Sequence, residues 1–388
     1  LKIDELSWSD NSGWFFQKKR VDDNSLVQIV FIFGTVKALV DGEFLCPLRQ
    51  LYPNAKIVGG SSAGNIQDNY LSTDEIVASA IYFENSRIEV STKELSDTKN
   101  SFEIGKEVLD ELHTKGDDLK HILIFSDGIH INGSMLVRGF TDNVQKRVPI
   151  SGGLFGEETA NFRETYAVPD SEAKKNYVIG VGLYGDNLLI RSGSSAGWED
   201  FGAERIITKS TGNVVYEIDG QPALNLYRKY LGELAKELPA SGLRFPLNIW
   251  RNDEDIPVIR TLFSINEEEN SLTFVGDVPQ NYKARLMKTN IDGLIDGAEK
   301  AVRMTRYRED SDTKDSQSLC IAVSCIGRRL VLNQLVEEEI DVLKEYLGDN
   351  MSIIGFYSFG EIAPFSRELK SCRFHNQTMT ITVIEERV

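Results

Sequence analysis

The sequence predicts an α/β to α+β fold in two domains, assembled from repeated strand–helix–strand units with glycine corners. Three observations predict it. A β-type apolar run, a helical stretch and a second apolar run occur in that order three times along the chain. The second run carries glycine each time: "IVGGSSAGNI" at 57–66, "ISGGLFGEE" at 150–158 and "IIGFYSFGEI" at 353–362. Finally, 388 residues exceed one ordinary domain. Boundaries at 25–215 and 216–388 are expected. The first domain then holds two repeats, and the second holds a strand-rich block and the third repeat.

In the first repeat "VQIVFIFG" (27–34) reads as a strand and "GEFLCPLRQLYP" (42–53) as a helix. Two strands follow the corner, "EIVASAIYF" (75–83) and "RIEVST" (87–92). The second repeat opens with "HILIFSDG" (121–128). Its helix over 133–146 places Met135, Leu136, Phe140 and Val144 at helical spacing. The corner at 148–159 precedes the strands "YVIGVGLYG" (177–185) and "LLIRSGSSAG" (188–197). The third repeat runs from "LCIAVSCIGRR" (319–329) through a helix at 333–348, a corner strand at 351–365 and a last strand at 377–386. The spacings Gly34–Gly59, Gly128–Gly152 and Gly327–Gly355 are similar. They predict one local geometry, a second strand that ends in a tight turn. Between the second and third repeats the sequence predicts two strands around a Thr-Gly-Asn turn, a helix from about Pro222, a strand pair with an acidic loop, and a helix over "TNIDGLIDGAEKAVRMTRY". The polar stretch 308–318 reads as a loop.

Composition excludes several functions. A net charge of −16 disfavours nucleic-acid binding, which needs clustered Lys and Arg, and adsorption to an anionic membrane. No apolar run reaches the length of a membrane span. The opening "LKIDELSWSDNSGW" is acidic and not signal-like. Cys46, Cys320, Cys325 and Cys372 are scattered, which predicts free thiols. A soluble cytoplasmic protein is expected.

The motifs "GGSSAGNI", "GGLFGEE", "SGSSAGWEDFG", "YEIDGQPALNLYRKYLG", "SLTFVGDVP", "SCIGRR", "GFYSFGEI" and "FHNQTMT", in this order over about residues 25 to 386, resemble the FIST family. The resemblance implies an N-terminal and a C-terminal FIST domain and a sensory module that binds a small ligand. Resemblance to a stand-alone subset implies haem as cofactor, nitric oxide as signal and a sensor histidine kinase as partner. A homo-oligomer is also compatible with it.

Candidate residues follow from chemistry and from these motifs. Gly59, Gly60, Ser61, Ser62, Gly152 and Gly153 form corners whose backbone can line a ligand pocket. The first corner is no phosphate loop, because Asn65 and Ile66 stand where Lys and Ser or Thr are needed. "GSSAG" at 60–64 and again at 193–197 fits the spacing of a nucleophile elbow, but no helix is expected after Ser62. The expectation is therefore a protein without enzymatic turnover. A hydrolase using Ser62 or Cys325 is the competing class. Asp127 ends a buried strand, where α/β units place ligand-facing loops, and His130 follows in that loop. Tyr357 and Glu361 combine with Phe356 and Phe359 as a polar hand in an apolar pocket. Arg328, with Arg329, suits a carboxylate or a haem propionate. These arginines would also lower the pKa of Cys325. If haem binds, His130 and His375 are the candidate iron ligands, with Asn376 beside the second. The other specific reading is a sensor of a small polar metabolite such as an amino acid.

Overall fold

The computed structural model describes the chain except residues 73, 97–98, 143–146, 160–162, 254, 306–316, 365–371 and 388. Most of the stretch 308–318 therefore lies outside the described residues, as does the end of the expected helix 133–146.

Each repeat has the same three-strand centre. Its first strand is flanked by a parallel second strand and an antiparallel third. The first strands are Ile29–Gly34, Leu119–Ser126 and Ser318–Cys325. They pair in parallel with Lys56–Ser61, Ile150–Leu154 and Met351–Ser358. On the other side they pair antiparallel with Ile76–Tyr82, Tyr177–Tyr184 and Met379–Glu386. Short helices make the parallel crossovers: Val36–Asp41 with Leu45–Leu51, then Gly133–Thr141, then Ile326–Leu332 with Val336–Leu347.

Register makes the three corner glycines equivalent. Gly59 faces Ile32, Gly152 faces Ile124 and Gly355 faces Ala322. A methyl group at these positions would lie 1.8, 1.9 and 1.9 Å from the facing carbonyl oxygen. The spacing predicted a tight turn at these glycines; they lie instead inside the second strands. Their work is close approach of two parallel backbones. The glycines of the first strands are not equivalent: Gly34 ends its strand, Gly128 follows one, and Gly327 lies in a helix.

The repeats complete each other's sheets. After its second strand, each chain segment crosses to another repeat. Asn65–Gln67 pairs with Met351–Ser358, Ala167–Pro169 with Lys56–Ser61, and Gly360–Pro364 with Ile150–Leu154. After the third strand the exchange runs the other way. Arg87–Glu94 pairs with Tyr177–Tyr184, and Leu188–Ser195 with Met379–Glu386. Lys2–Ser9, in a hairpin with Gly13–Lys18, fills the corresponding place beside Ile76–Tyr82. The acidic opening stretch, with Ile3 in the shared core and Leu6 and Trp8 in the core under the helices of the first repeat, is therefore a core strand.

Three six-stranded sheets result, each with strands from more than one repeat. Their inner faces share one apolar core, including Phe31, Phe33, Phe125, Phe155 and Phe356. The rings of Phe33 and Phe356 stack at 4.5 Å between centroids. Helices cover the outer faces. Ser101–Thr114 and Gly133–Thr141 pack on the second sheet, and Ile291–Thr305 and Val336–Leu347 on the third. The strand-rich block forms a separate sheet over 199–288 with its own core around the helix Ala223–Leu231. The predicted Thr-Gly-Asn turn and acidic hairpin loop are both found there. This inserted sheet packs against the three-sheet body. Among the described residues no helix is long and apolar enough to cross a membrane.

Candidate functional site

The corners meet at a threefold junction. Ala63 N–H donates to the Tyr357 carbonyl (2.9 Å), Gly156 N–H to the Ser61 carbonyl (3.2 Å) and Phe359 N–H to the Leu154 carbonyl (3.0 Å). Donors and acceptors are equivalent positions of the three repeats, so the ring of bonds is cyclic. Side chains at Gly60 or Gly153 would enter Phe155 or Val323. The corner glycines are buried, and a Cβ added at any of them would meet protein atoms within 3 Å. The junction closes one end of the core.

The serines are occupied by the same junction. Ser61 Oγ accepts from Tyr166 N–H (2.9 Å). Ser62 Oγ donates to the Gly64 carbonyl (2.6 Å) and accepts from Gly64 N–H (2.9 Å). The short strand Asn65–Gln67 follows, not a helix. Ser195 lies in a strand paired with Met379.

Arg328 is fully buried, and its partners are internal. Nε and Nη2 donate to Glu339 at 3.0 and 2.8 Å, and Nη2 also to the Leu294 carbonyl (2.7 Å). Its Nη1 donates to the Ala196 carbonyl. The other Glu339 oxygen accepts from Tyr357 Oη (2.5 Å) and Ser324 Oγ (3.1 Å). Arg328 and Tyr357 are therefore brought together by Glu339, in a closed network. Arg329 donates to the Ala63 carbonyl. Glu361 is buried nearby and accepts from Ser358 Oγ (2.6 Å), Thr378 N–H (3.0 Å) and Thr378 Oγ1 (2.9 Å). Burial outweighs these bonds and pushes its carboxyl up to about 7. The same burial, with Glu361 close by, holds the Cys325 thiol well above its ordinary value. The lowered thiol pKa that a neighbouring arginine would favour is not found, because desolvation exceeds the attraction of Arg328.

Asp127 is buried and pins its loop. Its Oδ1 accepts from Ile129 N–H (2.7 Å) and His130 N–H (2.8 Å), and its Oδ2 from Asn176 N–H (3.0 Å). His130 keeps 45% of its side chain exposed, with Nδ1 3.3 Å from Asp127. It lines a cavity of about 190 Å³ with Phe263, Phe274, Phe359 and Phe374. His375 is in the strand Cys372–His375, opposite Glu361 and 4% exposed. Burial, then Arg260 and Arg373, push its imidazole down to about 3, so it stays neutral. The structure does not bring His130 and His375 to one cavity wall. Asn376 accepts from Thr261 N–H (3.1 Å) and ties the inserted sheet to the body. Among the described residues no group of three or more His, Cys, Asp and Glu side chains is placed to hold a metal ion.

A second cavity, of about 360 Å³, lies on the other side of Phe374. Arg138, Arg260, Asp277, Tyr282 and Arg373 are in its walls. Both cavities lie in the seam between body and inserted sheet. Gly133, Gly276 and Gly360, from three segments, pack on the Phe374 ring that separates them. The sequence reading missed Arg260 and Phe374. One signal was present: in "IPVIRTLFSI" a single arginine interrupts an apolar strand, and a buried charge in such a place needs a reason.

A FIST N domain model matches residues 28–221 and a FIST C domain model matches 223–364. The seam lies between residues 128–138 of the first part, a loop and the start of the helix Gly133–Thr141, and strands of the second. An uncharacterized protein of Methanocaldococcus jannaschii is 26% identical over 415 residues, spanning 95% of this chain and 75% of that one. The crystal structure of a cyanuric acid hydrolase from A. caulinodans covers 94% of this chain and 91% of its own, at a TM-score of 0.35 and 8% identity. With both models matched in order over most of its length, this chain belongs to the FIST family, whose domains are sensory modules of signal-transduction proteins that bind small ligands.

Proposed function

We propose that this chain is a ligand-operated sensor whose small ligand seats in the seam between the three-sheet body and the inserted sheet. The observation that carries the reading is the pair of cavities flanking Phe374, at the meeting of the FIST N and FIST C parts. Sites between structural parts are where ligands bind, and their walls combine apolar surface with a few polar groups. A ligand held there bridges both parts and favours one arrangement of the seam, which is the requirement for a signal. The partner in this reading is a sensor histidine kinase in the cytoplasm, contacted by one copy or a homo-oligomer. The protein has no turnover of its own, since Ser62 is held by Gly64 and Cys325 is a buried thiol.

Cavity size favours a metabolite over haem. His130 would be the iron ligand, yet the space it faces is about 190 Å³, below the roughly 300–1,000 Å³ of ordinary ligand sites. The residues present do not fit a porphyrin. The test has two parts. Protein supplied with haem should show no Soret band; a band lost in His130→Ala would restore the haem reading with nitric oxide as its signal. Hydrogen exchange with amino acids and short carboxylates should slow at 128–138, 258–261 and 372–376. Protection confined to other segments would sink the seam.

A further inference from the structure

We infer that the larger seam cavity is a carboxylate-binding subsite centred on Arg260, an inference that rests on the seam reading above. Arg260 is 6% exposed. It comes from the strand Val258–Arg260 of the inserted sheet. Its Nε donates to the Asp277 carbonyl (2.9 Å), and Nη1 to the carbonyls of Ile259 (3.0 Å) and Phe374 (3.1 Å). Its Nη2 has only a 3.5 Å contact with Ser134 Oγ. Every acceptor it meets among the described residues is neutral.

The neighbouring cations differ. Arg373 is paired with Asp255 (2.8 Å) and Arg138 with Asp142 (2.9 Å). Asp277 is beside Arg260 and attracts it, but its carboxylate accepts from the Asn132 amide (3.0 Å) and forms no ion pair with the guanidinium among the described residues. A buried cation without a carboxylate partner is costly, and an incoming anion relieves that cost. Burial and Arg373 already push this guanidinium down to about 10.

The walls name the ligand class. Arg260 presents a planar donor fork with Nη2 still able to donate, which suits a carboxylate. One unpaired cation balances one negative charge. A phosphate dianion would bring a second negative charge that Arg260 does not balance, against Asp277 in the same wall. Val137, Ile249, Val258 and Pro279 form the rest of the wall, so the ligand body is apolar. A cavity of about 360 Å³ sets it at the size of a small metabolite.

The test titrates the full chain with benzoate, benzamide and phenyl phosphate, following thermal shift and hydrogen exchange at 258–260, 277–282 and 372–374. Benzoate should bind about tenfold or more tightly than benzamide, the ratio expected of a charge-assisted bond. Arg260→Gln should erase that preference while Arg373→Gln keeps it. If Arg260→Gln fails to fold by circular dichroism, Arg260→Lys and the wild-type ratio decide, since lysine keeps the charge. Equal binding of benzoate and benzamide at the seam would overturn the subsite and leave the seam reading standing. Phenyl phosphate binding tighter than benzoate would overturn the monoanion. If none of the three binds at the seam, the inference is wrong; if they protect only other segments, the seam reading falls with it.

Discussion

Arg328 and Arg260 are both buried arginines, and the protein treats them in opposite ways. Arg328, in the body, meets Glu339 through two nitrogens, and the remaining Glu339 oxygen is taken by Tyr357 and Ser324. Arg260, at the seam, meets carbonyls and a cavity. The same contrast holds for the regions around them. The body is closed by cyclic hydrogen bonds and stacked rings. The seam holds two cavities with charged and polar groups in their walls. A fold that completes the network around one buried arginine, and leaves the other with neutral acceptors beside a cavity, marks the place where another molecule completes it.

The contrast is broken most severely by a side chain at a corner glycine. A methyl at Gly152 would lie 1.9 Å from the Ile124 carbonyl oxygen, at a φ of +139°. Neither backbone can yield without separating two paired strands. Gly152→Ala should cost about 5 kcal/mol or more, most of a domain's stability. Gly220→Ala, at a φ of +72° with nothing within 4 Å, should cost only about 1 kcal/mol. Urea unfolding of both variants measures the difference; similar losses would mean that the close approach of the strands is not what the glycine serves.

Next in size is the closed pair itself. Glu339→Gln leaves Arg328 buried without its counter-charge. The expected loss is about 3–5 kcal/mol, the usual result of removing one partner of a buried pair. A loss below about 1 kcal/mol in the same assay would show that the body does not depend on this pair.

A third effect depends on pH. The Glu361 carboxyl is held up to about 7 from an ordinary 4.5. Between these values the folded chain keeps a proton that the unfolded chain releases. Its contribution is therefore fully present below about pH 4.5 and is lost as pH rises through about 7. The total is on the order of 3 kcal/mol, falling by about 1.4 kcal/mol per pH unit. His121 and His375, both pushed down to about 3 by burial, act in the opposite sense below about 6.5. The stability difference between wild type and Glu361→Gln isolates the carboxyl. A flat difference from pH 5 to 7 would remove the assignment.

Much of the body was legible in the sequence, and the seam was not. The three repeats show because a parallel strand buried on both faces reads as an apolar run, and because close approach demands glycine at one register position. Gly59, Gly152 and Gly355 could be aligned from spacing alone. What spacing could not give was the exchange of strands. Asn65–Gln67 and Gly360–Pro364 look like local continuations, and their partners lie hundreds of residues away. The opening strand Lys2–Ser9 was hidden by its charges, although Asp4 is buried and accepts from Tyr52 Oη (2.8 Å). The candidate residues divide along the same line. Arg328, Tyr357 and Asp127 were visible as polar residues beside apolar strands, which is also how a structural network looks. His130 does face a cavity. Arg260 required knowing which surface the inserted sheet covers.

The smallest expected effect sharpens the opening contrast most. Arg260→Met removes a buried charge and three hydrogen bonds to carbonyls of Asp277, Ile259 and Phe374. In a closed core, orphaned carbonyls would cost about 1–3 kcal/mol each. Here Asp277 and Phe374 line a cavity of about 360 Å³, large enough for water to take over as donor. The desolvation cost of the guanidinium disappears at the same time. The two changes nearly offset, and the variant should lose less than about 1 kcal/mol against the 3–5 kcal/mol of Glu339→Gln. Urea unfolding of the two variants in one buffer checks the ratio. If Arg260→Met costs as much as Glu339→Gln, Arg260 is a structural residue like Arg328, and the seam has no open charge for a ligand to complete.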